Sequence, residues 1–172
     1  MFQLALVALT ALQASTLTLP VTPSPAATTR AASVAASAAA VPMISNPEHI
    51  ARARVALAKG EFDVARREFV TAAAIDRDEG KLATEATFGL AHVLYAQSYN
   101  REAATVLERL AAEASTAGDV DTEAKALLDA MWLNVEAKQR MQARADASRL
   151  RVLLKDKRLS NDTRKLVASR VS

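Results

Sequence analysis

Residues 60–76 read GEFDVARREFVTAAAID, and this stretch is the most informative in the chain. Gly60 is followed by three residues that are spaced four and three positions apart, namely Ala65, Phe69 and Ala72. This spacing places all three on one face of an α-helix. Alanine lets a second helix approach closely, and the phenylalanine ring fills the remaining space. The stretch therefore predicts a helix that packs against neighbouring helices, and Gly60 closes the helix before it.

The composition of the 172-residue chain also favours helices. Hydrophobic residues make up 51 % of it, much of that share is alanine, and aromatic residues are only 4 %. Four glycines and five prolines are too few for a turn-rich β-sandwich or barrel. From the start signal Asn46-Pro47-Glu48 onwards we expect helices throughout, with Asn46 as the N-cap. Their predicted bounds are 47–59, 61–75, 82–97, 100–114, 120–138, 142–154 and 163–171.

The turn and helix at residues 60–76 resemble the second helix of a tetratricopeptide repeat (TPR-like). In that family a glycine, an acidic residue and an aromatic residue precede a helix with the spacing of Ala65, Phe69 and Ala72. A second unit is less regular, because Tyr99 lies one position early for the turn aromatic. A third unit around Ala143 has neither the turn glycine nor the turn aromatic.

The steps between these units are longer than in the family. Ala103 follows Ala65 by 38 residues and Ala143 follows Ala103 by 40, whereas the family repeats about every 34 residues. The resemblance covers residues 46–155. It implies an all-α fold in which antiparallel helix hairpins stack as a short TPR-like solenoid. A plain helical bundle without repeat geometry is the alternative.

The resemblance also implies a binding surface, since the first helix of each pair lines a concave groove in this family. Phe88, His92 and Tyr95 are spaced four and three residues apart and share one helical face. Such side chains often dominate interfaces, so we expect a partner peptide or helix to bind there. Packing of this stripe in the core is the alternative. The expected partner-binding residues are Arg54, Phe88, His92, Tyr95, Leu128 and Trp132.

Charge is distributed unevenly along the chain. Residues 45–137 carry ten Lys and Arg against sixteen Asp and Glu, whereas residues 138–172 carry eleven against three. The basic end would suit an anionic membrane surface or an acidic partner, including a second copy of the chain. Nucleic acid fits the charge alone, but no aromatic residues are interleaved with the basic ones. A solvated helix face is the remaining interpretation. The expected basic patch is Lys138, Arg140, Arg144, Arg149, Arg151, Lys155, Lys157 and Arg158.

Residues 1–19 form an apolar segment without a charged side chain, which predicts a signal peptide or an N-terminal membrane anchor. The basic residues that usually begin a signal peptide are missing, and Gln3 and Gln13 weaken the segment as an anchor. A cytosolic start is the third alternative. Residues 20–44, which are rich in Pro, Ala and Thr, are predicted to be a flexible linker before the helical domain at 45–172. We therefore expect an exported protein, periplasmic or on the outer face of the membrane, which is tethered by residues 2–19 if that segment is retained.

Little in the sequence favours catalysis. The absence of cysteine excludes disulfides and thiolate metal sites, and the two histidines lack His-Glu-x-x-His spacing. Asp119 and Asp121 flank a turn, where we expect them to cap a helix start. We expect no cofactor and no metal, and predict a non-enzymatic protein-interaction or scaffold module. One alternative is a structural accessory subunit docked on the outer face of a bacterial membrane complex. The other is a basic helical nucleic-acid-binding module.

Overall fold

The computed structural model describes residues 44–171, which fold into helices joined by short turns. The predicted all-helical fold is confirmed, and the described residues contain no β-strand. The predictions for the N-terminal segment and for all but the last residue of the linker lie outside the described residues. The seven helices of residues 44–171 are α1 (Asn46–Ala58), α2 (Phe62–Asp78), α3 (Thr84–Ala96), α4 (Asn100–Ala117), α5 (Val120–Glu136), α6 (Arg140–Leu153) and α7 (Asn161–Val171).

Helix α1 begins one residue earlier than predicted, and its N-cap is Ser45. The backbone N–H of Ser45 and its Oγ both donate hydrogen bonds to the Glu48 carboxylate, at 2.8 and 2.9 Å. The prediction that Asn46 caps this helix is wrong, because Asn46 is the first helical residue. Its Nδ2 donates to the side chain of Asp76 in α2 and so joins the first two helices.

The turns that follow α1 to α5 share one backbone geometry. Each contains a residue with positive φ, between 59° and 77°, and the next residue donates its N–H to a carbonyl five residues earlier. Glycine takes this conformation without steric cost. Ser98 and Lys138 adopt it as non-glycine residues, which explains how the later units turn without the glycine of the first. The five positions are Gly60, Gly80, Ser98, Gly118 and Lys138.

The helices pack mainly on their neighbours in the chain. Each helix contacts the next, α1 also contacts α3, and α5 also contacts α7. Fully buried alanines lie at many of these contacts, among them Ala53, Ala65, Ala103 and Ala124. Because a methyl group is the largest side chain that such a position holds, the helix axes approach closely. The buried alanines of the sequence therefore form packing surfaces between the helices.

Helices α2 and α3 meet where Gly89 lies against the ring of Phe69. A Cβ built on Gly89 would lie 2.7 Å from Cδ1 of Phe69 and nearer still to two other ring carbons. Phe69 is 2 % exposed and packs in one cluster with Val93. A glycine inside a helix costs roughly 1 kcal/mol relative to alanine. The close approach of the Phe69 ring is the reason that this position carries no side chain.

A buried polar cluster joins α4, α5 and α6. Asn134 is 1 % exposed, and its Nδ2 donates to Oε1 of Glu108 at 2.8 Å and to Oδ2 of Asp146 at 2.9 Å. Burial raises the pKa of the Asp146 carboxyl, the hydrogen bond from Asn134 lowers it, and the nearby Glu108 raises it. One side-chain amide of α5 therefore donates hydrogen bonds to two carboxylates, one from α4 and one from α6.

Helix α7 covers the last hairpin through Val167, which is fully buried. The adjacent Leu166 is 45 % exposed. Asp119 caps α5 as predicted, since its side chain accepts a hydrogen bond from the N–H of Thr122. The prediction that Asp121 is a second cap is wrong, because its Oδ1 accepts hydrogen bonds from the N–H and Oγ of Ser160, just before α7.

The guanidinium of Arg164 in α7 donates hydrogen bonds to three backbone carbonyls of the α6–α7 loop. The acceptors are the carbonyl oxygens of Leu154, Asp156 and Leu159, at 2.5, 2.9 and 3.1 Å. These carbonyls follow the end of α6, where a helix leaves its last acceptors unpaired. One side chain therefore closes the loop between α6 and α7.

Candidate functional site

An aromatic cavity of about 380 Å³ lies between α3 and α5. Helix α3 contributes one side and α5 the other, while Leu107 of α4 lies behind them. The main lining residues are Phe88, His92, Tyr95, Asp129, Trp132 and Leu133. Four of the six predicted partner-binding residues therefore meet at one recess, although they come from two helices about 40 positions apart in the chain.

Tyr95 and Trp132 form the open wall of the aromatic cavity. Their ring centroids lie 5.1 Å apart with an angle of 63° between the planes, which is an edge-to-face arrangement. Tyr95 is 42 % exposed and Trp132 is 45 % exposed. Side chains of this size are usually buried in a monomeric domain, so a pair of half-exposed rings at a recess is typical of an interaction surface.

Phe88 and His92 differ from this pair in how deeply they lie. Phe88 is partly buried and packs against the core formed by α4 to α7 as well as the core formed by α3, α4 and α5. His92 is exposed one helical turn before Tyr95. Phe88 therefore lies at the floor of the aromatic cavity and partly in the core, while His92 lies at the rim of the cavity.

Asp129 also lines the aromatic cavity, although no sequence motif marked it as a candidate site residue. It lies three residues before Trp132, so both side chains emerge from the same face of α5. Although the residue as a whole is exposed, neighbouring groups partly desolvate its carboxyl and raise its pKa. His92 and Asp129 make no hydrogen bond to each other, and none of the six main lining residues is a serine, threonine or lysine nucleophile. The recess can therefore hold an apolar group that carries a polar atom.

The remaining two predicted partner-binding residues lie elsewhere. Leu128 is 8 % exposed and packs in the core formed by α4 to α7. Arg54 lies on α1 beside a separate cavity of about 470 Å³, where its guanidinium is 2.5 Å from Oε1 of Glu85. Leu128 thus contributes to stability, and Arg54 forms an exposed ion pair between α1 and α3.

Two of the eight residues of the expected basic patch are paired with carboxylates. Arg149 makes an ion pair with Glu123, which is 4 % exposed, and also donates to Oγ of Ser115 at 2.9 Å. Arg158 makes an ion pair with Asp156 at 2.8 Å in the α6–α7 loop. Lys138 adopts the positive φ of the turn between α5 and α6. Arg149 and Arg158 therefore have structural partners, so the positive charge that is left for a ligand is smaller than the sequence indicates.

No family model, curated protein or solved structure matches the chain. Within residues 44–171, no three His, Asp or Glu side chains come together as a metal site, and no helix is long and apolar enough to cross a membrane. The class of protein that the described residues define is an all-helical domain of consecutively packed helices with an exposed aromatic recess.

Proposed function

We propose that the helical domain is a short TPR-like solenoid that binds a segment of another protein in the aromatic cavity. The protein would act as an interaction or scaffold module, without chemistry of its own. The single observation that carries this proposal is the half-exposed edge-to-face pair of Tyr95 and Trp132 at the mouth of that cavity.

The solenoid part of the proposal is supported by the regularity of the turns. The positive-φ residues within the three proposed hairpins are Gly60, Ser98 and Lys138, which are 38 and 40 residues apart. Those between hairpins are Gly80 and Gly118, again 38 apart. These steps equal the intervals between the alanines of the proposed units. Contacts that are largely limited to chain neighbours are what stacked repeats require.

The binding part of the proposal is supported by the composition of the aromatic cavity. Tryptophan and tyrosine are enriched at positions that contribute most to protein interfaces, because each buries a large area and keeps a polar atom available. A partner side chain that entered the recess would cover both rings and displace water from Phe88 and Leu133. A short apolar segment of a partner, with a polar group near Asp129, fits this chemistry.

Site-specific photo-crosslinking tests the binding proposal. A photoreactive phenylalanine analogue would replace Tyr95 in cells of the source organism, and Tyr99 in a control. Tyr99 is a matched control because it is 49 % exposed and does not line the cavity. We expect one defined partner to be crosslinked from position 95, absent from position 99 and lost when Trp132→Ala is added. Equal crosslinking from both positions, or none from position 95, would contradict the proposal.

Native-state hydrogen exchange tests the solenoid. Stacked hairpins open one at a time, so amide protection should differ in steps between the α1–α2, α3–α4 and α5–α6 pairs. A plain bundle would open as one unit, and its slowest amides in all seven helices would then share a single opening free energy.

We further propose that the protein is exported, and that it is tethered to the outer face of the membrane if residues 2–19 are retained. An accessory subunit of a membrane complex would need the tether, whereas a soluble periplasmic scaffold would not. Mass spectrometry of the mature N-terminus separates the two. An intact N-terminus in the membrane fraction supports the tether, and a mature chain that begins within the 20–44 linker supports cleavage.

A further inference from the structure

A second cavity, of about 520 Å³, lies between α5 and α6 and shares no lining residue with the aromatic cavity. Its apolar floor includes Met131 and Val135 of α5. One wall is formed by Arg140, Arg144 and Arg151 of α6. We call this recess the arginine groove. Three of the eight residues of the expected basic patch line this one recess.

The three arginines of the groove lie along one face of α6. They are four and seven residues apart, so each lies close to a whole number of helical turns from the next. The rise along the helix is about 6 Å from Arg140 to Arg144 and about 10 Å from Arg144 to Arg151. A ligand that lies along the groove would meet a line of positive charges.

These charges are not neutralised within the described part of the chain. Arg140 and Arg144 have neither an ion pair nor a side-chain hydrogen bond among residues 44–171, and Arg151 only reaches the carbonyl oxygen of Val171, at 3.5 Å. No acidic residue lines the recess. Arg149 and Arg158, by contrast, are each paired with a carboxylate. The groove therefore presents positive charge that an acidic ligand would complement.

The floor of the arginine groove restricts the kind of acidic ligand. Val135 is 58 % exposed, while Met131 and Ala147 are partly buried against the core. A ligand with acidic groups alone would leave this apolar surface uncovered. A flat anionic membrane would not reach into the recess, and a nucleic-acid backbone would bring phosphates without apolar groups to cover Val135.

We propose that the arginine groove binds an amphipathic acidic helix of a partner protein, with carboxylates on the arginines and an apolar stripe on the floor. A helix matches the groove because it repeats its own charges at intervals of four and seven residues on one face. This binding surface is independent of the proposed function of the aromatic cavity.

Fluorescence anisotropy with the full-length chain tests the proposal. The probe is a fluorescein-labelled helical peptide of 18 residues with Glu at positions 3, 7 and 14 and a Leu stripe beside them. The test variant is Arg140→Gln with Arg144→Gln, and the control is Lys155→Gln with Lys157→Gln, which removes the same charge outside the groove. We expect about tenfold weaker binding for the test variant and less than a twofold change for the control, since two direct charge pairs are lost only in the former.

A second variant examines the floor. Val135→Asp places a carboxylate on an exposed position, so folding is preserved while the acidic peptide is repelled. We expect it to weaken binding at least as much as the arginine variant, and a peptide of the same composition with scrambled order to bind about tenfold more weakly than the probe. Equal weakening by the arginine and lysine variants would overturn the proposal. So would arginine-dependent binding of phosphatidylglycerol vesicles or single-stranded RNA in place of the peptide.

Discussion

Tyr95 of α3 and Trp132 of α5 support each other in an edge-to-face contact, although each leaves more than two fifths of its side chain in solvent. The two rings join helices that belong to different proposed hairpins. Such a pair contributes about 0.5–1.5 kcal/mol beyond the area it buries. The contact therefore adds a little stability and, under the proposed function, presents both rings together to a partner.

Replacement of both rings by alanine tests which role dominates. We expect Tyr95→Ala with Trp132→Ala to abolish partner capture, keep the helical circular-dichroism signal and lower the free energy of unfolding by about 1–2 kcal/mol. Tyr99→Ala is the control, because Tyr99 is similarly exposed outside the cavity. If the double variant loses its helical signal at 25 °C, the rings belong to the core and the binding proposal loses its support.

Gly89 offers a second prediction. Gly89→Ala should lower the free energy of unfolding by about 1–3 kcal/mol, although alanine is the better helix former, because the new methyl group would overlap the Phe69 ring. Urea denaturation measures the change. The smaller side chain of Phe69→Leu should remove most of the effect of Gly89→Ala when the two are combined. A stabilised Gly89→Ala variant would show that α2 and α3 are further apart than described.

The buried carboxylate of Asp146 predicts a dependence on pH. Its pKa is raised by burial, so the folded state keeps this proton to a higher pH than the unfolded chain does. The contribution of Asp146 to stability is therefore complete below its unfolded pKa and is lost as the pH rises through the folded pKa. We expect Asp146→Asn to be more stable than the parent at pH 7 and equal to it near pH 3, in urea titrations at several pH values.

The side-chain amide of Asn134 donates the hydrogen bond that offsets part of the cost of burying the Asp146 carboxyl. Asn134→Ala should cost about 1–3 kcal/mol at pH 7, because Asp146 and Glu108 would lose their shared hydrogen-bond donor. The cost should be smaller in an Asp146→Asn background, where one carboxylate no longer needs that donor. Additive effects of the two substitutions would indicate that the cluster does not act as a unit.

The pKa of Asp156, in the α6–α7 loop, is shifted in the direction opposite to that of Asp146. Hydrogen bonds from the Arg158 side chain and backbone N–H lower the pKa of its carboxyl to about 2. Its contribution to stability is thus present above its unfolded pKa and is lost as the pH falls towards 2. Carboxyl-detected NMR should find this pKa in the parent and a value nearer 4 in Arg158→Gln, whereas Lys157→Gln should leave it unchanged. A pKa near 4 in the parent would contradict the described loop.

The helices and most of their bounds were predictable from the sequence alone, because helix periodicity and start signals act over a few residues. Every bound in the described range lies within three residues of its predicted position. The spacing of Phe88, His92 and Tyr95 also placed them on one face before any contact was known. The turn at Lys138 was not predictable in this way, since a positive φ in a lysine follows from the packing of α5 against α6.

Whether a charged side chain contacts an opposite charge depends on how the helices pack against one another, which the sequence alone does not show. Arg140 and Arg149 look alike in the sequence, yet Arg149 meets Glu123 of α5 while Arg140 meets no acid among the described residues. Leu128 and Trp132 share one predicted face, but the rotation of α5 buries the first and exposes the second. Spacing along one helix sets which residues share a face, whereas distances between helices set which of those residues are buried, paired or open to a ligand.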